Sequence, residues 1–226
     1  MTPNILFEDP YILVCLKPAG IPVQSRMLSQ PDMVSILKNH LSAESSKKQA
    51  PYLAVIHRLD QPVEGILVFG KTPKAAQELN RQLQTEGFGK HYRALLHGTP
   101  AILEANLTDY IVKDGRTNTS RICPPDTLGA KLAQLHYRII QSNQAFSIAE
   151  IKLVTGRHHQ IRVQMAHIGC PIVGDRKYGA YSKSSDRTSS YPSQKLQLFA
   201  YCLEFVHPCT NKPLRFEIDR LDTKLL

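Results

Sequence analysis

The sequence has no tryptophan and no Cys-x-x-Cys pair, and no apolar stretch reaches the roughly 18–20 residues a membrane helix needs. Its five cysteines, Cys15, Cys123, Cys170, Cys202 and Cys209, are odd in number and sit mostly in apolar surroundings. They read as buried free thiols of a reducing compartment, not as a disulfide framework or a zinc site. The start, Met1-Thr2-Pro3-Asn4, lacks the basic residues and apolar core of a secretory signal, so a soluble cytoplasmic protein is expected. Acidic residues are scarce beside basic ones, 19 against 28, for a net charge of +9. Gathered on one face, that excess attracts a polyanion; dispersed, it makes only a basic protein. With 42% hydrophobic and 21% charged residues the chain is not of disordered composition. Its 226 residues fit a single domain, 1–226, that needs no metal or disulfide to hold a core.

An opening strand over Tyr11 to Leu16 ends in the turn Lys17-Pro18-Ala19-Gly20. Met33, Ile36, Leu37 and Leu41 recur at helical spacing and predict a helix over 32–41. The short strand Leu53-Ala54-Val55-Ile56 delivers His57-Arg58-Leu59-Asp60, and a strand over 65–70 follows. Thr72 caps a helix with Pro73 at its first position, and Gly87 is expected to close it. Further strands are expected at 91–97, 121–123, 134–141, 145–154, 196–206 and 213–219, with a polar loop rich in Thr and Arg between the first two. Ile161, Met165 and Ile168 mark a helix closed by Gly169. Residues 181–195, rich in serine, read as a surface loop. Strands outnumber helices and short turns join them, which predicts an α+β fold on a mixed, mostly antiparallel sheet.

Asp60 is the residue whose chemistry matters most. A carboxylate beside an arginine is ordinarily half of an ion pair. A catalytic carboxylate in a dry cleft needs a nearby cation to stay ionised, because burial alone neutralises it. Arg58 and Arg157 are both candidates. Arg157 lies in Thr155-Gly156-Arg157-His158-His159-Gln160-Ile161-Arg162, where a strand end runs straight into a helix start. The adjacent His158 and His159 do not face one ligand position and have no cysteine partner, so no metal is expected. Tyr92, on the strand Lys90 to His97, either packs or offers its ring to a base, where stacking is worth roughly 1–3 kcal/mol. Lys17 reads as a turn residue. Glu64, close after Asp60, leaves open a two-carboxylate glycosidase arrangement.

Lys17-Pro18-Ala19-Gly20, His57-Arg58-Leu59-Asp60 with Gly65 and Lys71, Tyr92-Arg93-Ala94-Leu95 and Thr155 to Arg162 resemble, in order, the successive motifs of the RluA-type RNA pseudouridine synthases. Ala166-His167-Ile168-Gly169, Pro171 to Asp175, Tyr178-Gly179, Leu198-Phe199-Ala200 and His207-Pro208 continue the match. The resemblance implies a cofactor-free, metal-free isomerase that cleaves the glycosidic bond of an RNA uridine, turns the base and rejoins it through carbon. It implies that Asp60 is the essential aspartate, attacking either ribose or base, that Arg157 pairs with it, and that Tyr92 packs on the base and assists proton removal. Arg58 would fill the place of the flipped nucleotide, and His57, Lys17, Ile161 and Arg162 join the substrate-binding set. The implied partner is ribosomal or transfer RNA, presenting a loop or single-stranded uridine to a monomer. No membrane partner is expected. Only about ten residues precede the first expected strand, so the small S4-type RNA-binding domain that many relatives carry is expected to be absent. RNA capture would then rest on the core's own basic surface, on the loops 42–50 and 181–195, and on Lys113, Arg116 and Arg121. Val63-Glu64 stands where the family often has Thr-Ser, Gly70 where alanine is common and Gln164 where histidine is frequent, departures that bear on substrate choice. The same fold used only to bind RNA, or hydrolysis of a nucleoside or glycoside through Asp60 and Glu64, are the competing readings.

Overall fold

The computed structural model describes residues 1–25, 27, 29–43, 50–85, 87–179 and 195–219. The expected loop at 181–195 and most of that at 42–50 lie outside the described residues. In chain order the elements are β1 (Asn4–Glu8), β2 (Ile12–Lys17), α1 (Met33–Ala43), β3 (Ala54–Val55), β4 (Glu64–Gly70), α2 (Pro73–Leu83), β5 (Gly89–His97), β6 (Glu104–Asp114), β7 (Thr119–Cys123), β8 (Lys131–Ser142), β9 (Phe146–Leu153), α3 (Gln160–His167), β10 (Leu198–Val206) and β11 (Pro213–Glu217). They divide into two compact units, Met1–Lys90 with Ala200–Asp219, and His91–Phe199.

In the first unit the strand order is β1-β2-β4-β10, with β3 also on β4 and β11 also on β10. Register places Lys17 opposite Gly65 and Cys15 opposite Leu67, antiparallel. Gly65 is dictated by the neighbouring strand: a Cβ there would lie 2.4 Å from the Ala200 Cβ, and its φ is +152°. At Gly70 a Cβ would come within 2.9 Å of the Ala76 Cβ, so the glycine lets α2 lie close on β4. Thr72 caps α2 by accepting the Ala75 amide at 3.2 Å, as its sequence predicts. The helix stops at Gln84 and does not continue to Gly87. Gln82 fixes that end, exchanging two 2.9 Å hydrogen bonds with the Val206 backbone of β10. Asp32 and Ser35 cap α1 reciprocally, at 2.7 and 3.1 Å. Ile12, Val14, Ile66, Val68, Leu79, Phe88, Leu203 and Phe205 form the core beneath these elements, each full side-chain burial contributing about 1.5–3 kcal/mol.

In the second unit the order is β5-β9-β8-β6-β7, antiparallel at β9–β8, β8–β6 and β6–β7. β6 falls in the segment expected to be a polar loop, and β1 was likewise unexpected. In β6 the apolar alternation of Leu107 and Ile111 is broken by Asp109, which accepts a 2.7 Å hydrogen bond from Gln164 of α3. Ile111 and Ala133 pack with Val163 of α3 on one face. Along β5, Tyr92, Ala94 and Leu96 are buried, while Arg93 between them reaches Glu150 at 3.0 Å. The sheet thus bears out the expected mostly antiparallel α+β class. All five cysteines are free thiols, and no described helix is long and apolar enough to cross a membrane.

Candidate active site

The segment His57 to Asp60 alternates: His57 and Leu59 are buried, Arg58 is exposed and Asp60 is half-buried. Arg58 and Asp60 are thus the two solvent-accessible side chains of the segment. The tight turn that follows is closed by the Val63 amide on the Asp60 carbonyl at 3.0 Å. Behind it lies Lys17, fully buried. Its ammonium donates to three carbonyls, those of Ile21 at 2.7 Å, Pro18 at 2.9 Å and Gln61 at 3.0 Å. Gln61 doubles the tie: its carbonyl also accepts the Gly20 amide at 2.8 Å and its side-chain amide donates to the Gly20 carbonyl at 3.0 Å. Lys17 therefore fastens the Pro18–Ile21 turn to the Asp60 turn. Burial pushes its pKa down to about 8, against the opposing pull of the Asp60 and Glu64 charges.

His57 is locked under this segment, its ring edge-on to Phe88 at 5.5 Å. Burial, helped by the Lys90 charge, lowers its pKa to about 3. The neutral ring accepts the Val68 amide at Nε2, over 3.4 Å, which leaves the proton on Nδ1. That atom has no hydrogen-bond partner among the described residues.

In the second unit, Arg157 is exposed on the loop between β9 and α3. Gln160 organises that loop: its Oε1 accepts the Arg157 amide at 2.9 Å and the Thr155 hydroxyl at 2.8 Å, and its Nε2 donates to the Gln134 carbonyl at 3.0 Å. The Arg157 Nε donates to the Leu132 carbonyl at 2.7 Å, which sets the direction of the guanidinium. His159 adopts a left-handed conformation, φ 54°, where the loop turns into α3.

A family model described as RNA pseudouridylate synthase matches residues 11–167, which include Lys17, the 57–60 segment, Tyr92 and the Arg157 loop. The chain belongs to the RNA pseudouridylate synthase family. It is 34% identical over 218 residues to a ribosomal large subunit pseudouridine synthase D of Nitrosomonas europaea, an alignment covering 95% of this chain and 61% of that protein. It is 26% identical over 222 residues to a tRNA pseudouridine synthase C of Salmonella typhi, covering 93% and 83%. The chain thus spans about three fifths of the first relative's length. Among solved structures, the human RNA pseudouridylate synthase domain containing 4 shares the fold, with a TM-score of 0.79 at 22% identity over 98% of this chain and 89% of that one.

Within this pseudouridylate synthase fold the expected site residues differ in setting. Lys17, His57, Arg58 and Asp60 belong to the first unit, and Tyr92, Arg157, Ile161 and Arg162 to the second. Arg58 and Arg157 are exposed, whereas Tyr92, Ile161 and Arg162 are buried. Arg162 makes a two-pronged ion pair with Asp175, at 2.7 and 2.8 Å, and sits over the Tyr178 ring at 5.2 Å. Asp175 is fully enclosed at its side chain. Burial alone would raise its pKa, but the Arg162 fork and the Lys177 and Tyr178 amides outweigh that and hold it below the usual carboxylate range. Gln160 and Asp175 carry supporting roles that their motifs contained without revealing, since a polar residue inside a motif does not announce which group it will hold, and Gln61 lies just beyond the His57–Asp60 run.

Proposed function

We propose that this chain isomerises uridine to pseudouridine in structured RNA, ribosomal or transfer, as a monomer whose residues 1–226 form one catalytic domain. The observation that carries the reading is the accessible pair Arg58 and Asp60 on a segment whose alternate residues are buried, with the adjoining Gln61 carbonyl held by the buried Lys17. A stacked base cannot be reached, so it must be extruded, and a guanidinium two residues from the carboxylate can stack where the base was. Asp60 then acts as nucleophile, at ribose or base. The C1′–N1 bond breaks, the base turns, C1′ bonds to C5, the bond to Asp60 is released to restore the free carboxylate, the C5 hydrogen leaves as a proton and N1 takes up a proton. On the family resemblance, Arg157 supplies the cation that keeps the carboxylate ionised, and Tyr92 packs against the base and assists proton removal. His57, Lys17 and Arg162 serve from behind as buried braces, and Ile161 as an apolar wall. The exposed Lys113, Arg116 and Arg121 of the β6–β7 hairpin supply phosphate contacts, so binding weakens steeply with salt.

The test is to incubate the protein and its Asp60→Ala variant with transcribed RNA lacking pseudouridine and map carbodiimide-resistant uridines. Asp60→Ala should lose activity by about 10⁴-fold or more while remaining folded. A wild type that modifies no RNA, or a variant as active as wild type, would defeat the reading. A hydrolase acting through Asp60 and Glu64 has one observation in its favour, that both charges act on Lys17. Release of free base or sugar would identify it.

A further inference from the structure

The β6–β7 hairpin and the Arg157 loop are joined by side-chain contacts centred on the buried Ser120 and His159. Ser120, on β7 and 4% exposed, donates its hydroxyl to the His158 carbonyl at 2.8 Å and meets the His158 Nδ1 at 2.9 Å. Asn118, the left-handed residue of the hairpin turn with φ 51°, reaches the other ring nitrogen of His158 through its side-chain amide at 3.1 Å. The Tyr178 hydroxyl accepts the Ser120 amide at 2.6 Å and lies 2.8 Å from the His159 Nδ1. The tyrosine oxygen thus takes the Ser120 N–H and meets the His159 ring at the same point. The His158 and His159 rings stack with centroids 3.8 Å apart, so fixing one fixes the other.

Tyr178 is itself held. Its amide bonds Asp175 at 3.1 Å, its ring lies under the Arg162 guanidinium, and Gly179 allows the tight turn, since a Cβ there would sit 2.2 Å from the Asp175 carbonyl oxygen. On the far side, Lys177 donates to the Asn118 carbonyl at 2.6 Å. Of these contacts, those at Ser120 and His159 lie on buried residues, where a polar group left unmatched costs about 1–3 kcal/mol, while those at Asn118 are at the surface.

We propose that Ser120 and Tyr178 are positioning residues that latch the β6–β7 hairpin to the 154–159 loop, so that RNA phosphates gripped by the hairpin cations set where the Arg157 guanidinium points. This rests on the pseudouridine synthase reading given above. It assigns the hairpin two effects: its cations hold RNA, and its buried side passes that hold to the loop.

The experiment compares Ser120→Ala and Tyr178→Phe with wild type and with Ser120→Thr, which keeps a hydroxyl. In both latch-breaking variants kcat should fall by about 10- to 100-fold with KM within about twofold of wild type, and Ser120→Thr should restore most of the loss. Amide hydrogen exchange supplies a readout independent of activity: the Arg157 and Gln160 amides should exchange faster in the two variants while the β8–β9 amides keep their protection. Unchanged exchange at those two amides overturns the latch, as does an unchanged kcat in an active enzyme or a loss that only tracks global unfolding. A wild type that forms no pseudouridine on any RNA would defeat the functional reading instead, and the exchange comparison would still decide the latch.

Discussion

Each unit buries a cation next to a segment that carries candidate site residues, and the two solutions differ in chemistry. Lys17, behind the Asp60 turn, is satisfied by three neutral carbonyls. Arg162, behind the Tyr178 turn and the Arg157 loop, is satisfied by a buried carboxylate. Carbonyl dipoles hold an ammonium without neutralising it, so burial still tells and the Lys17 proton becomes labile near pH 8. A carboxylate matched to a planar fork gives a pair that stays charged until acid removes the anion. The first brace is therefore adjustable within the range where enzymes work, and the second is fixed.

The largest effect should come from breaking the fixed brace. Asp175→Ala leaves a buried guanidinium uncompensated, which costs about 3–5 kcal/mol, and thermal unfolding by circular dichroism should show a fall of many degrees. A melting temperature close to wild type would mean that the pair is not holding the second unit. Because the folded carboxyl titrates below its unfolded value of 3.8, its stabilisation is complete above that pH and is lost as pH falls through the lower, folded value.

Breaking the adjustable brace should damage activity more than stability. Lys17→Met removes the donor shared by the two turns, and multiple-turnover assays should show pseudouridine formation falling by about 10-fold or more. In the wild type the same loss should appear as an alkaline limb in kcat/KM centred near pH 8, because a neutral amine has too few N–H groups for three carbonyls. Stability moves the other way. Between about 8 and the ordinary lysine value of 10.5 the unfolded chain holds the proton that the folded one has released, so this residue's share of stability rises with pH. An activity profile flat through pH 9, or a Lys17→Met variant as active as wild type, would remove the adjustable brace from the comparison.

The smallest effect sharpens the same contrast. Glu64 acts on Lys17 by raising its pKa, so Glu64→Gln should move the alkaline midpoint to lower pH while activity at pH 7 stays within about threefold of wild type. A midpoint that stays put or rises would mean that Glu64 does not act on Lys17. Loss of nearly all activity would revive the two-carboxylate hydrolase.

Much of the fold was legible because local rules and packing agreed. The helix stripe Met33, Ile36, Leu37 and Leu41 is the buried face of α1, and Thr72-Pro73 opens α2 as its chemistry predicts. The failures have physical causes. β6 read as a loop because an inward Asp109 interrupts its alternation, and only the tertiary contact from Gln164 makes that carboxylate acceptable. The end of α2 was misplaced because the backbone tightens into i→i+3 hydrogen bonds, Gln84 to Arg81 and Thr85 to Gln82, before Gly87 is reached. Lys17 was expected to be a turn residue or a substrate contact, and its full burial depends on carbonyls as distant as Gln61.

By itself the sequence determined the order of the motifs, on which the family resemblance rests, the placing of an arginine two residues before an aspartate, and the class of sheet, because these are carried by residue type, spacing and short-range periodicity. Only the tertiary structure decided which polar residues are braces: Lys17 on three carbonyls, Arg162 on Asp175, and Ser120 and Tyr178 between hairpin and loop. Their partners lie far apart along the chain, and a buried hydrogen bond is specified by the place where two segments meet, which no local pattern contains.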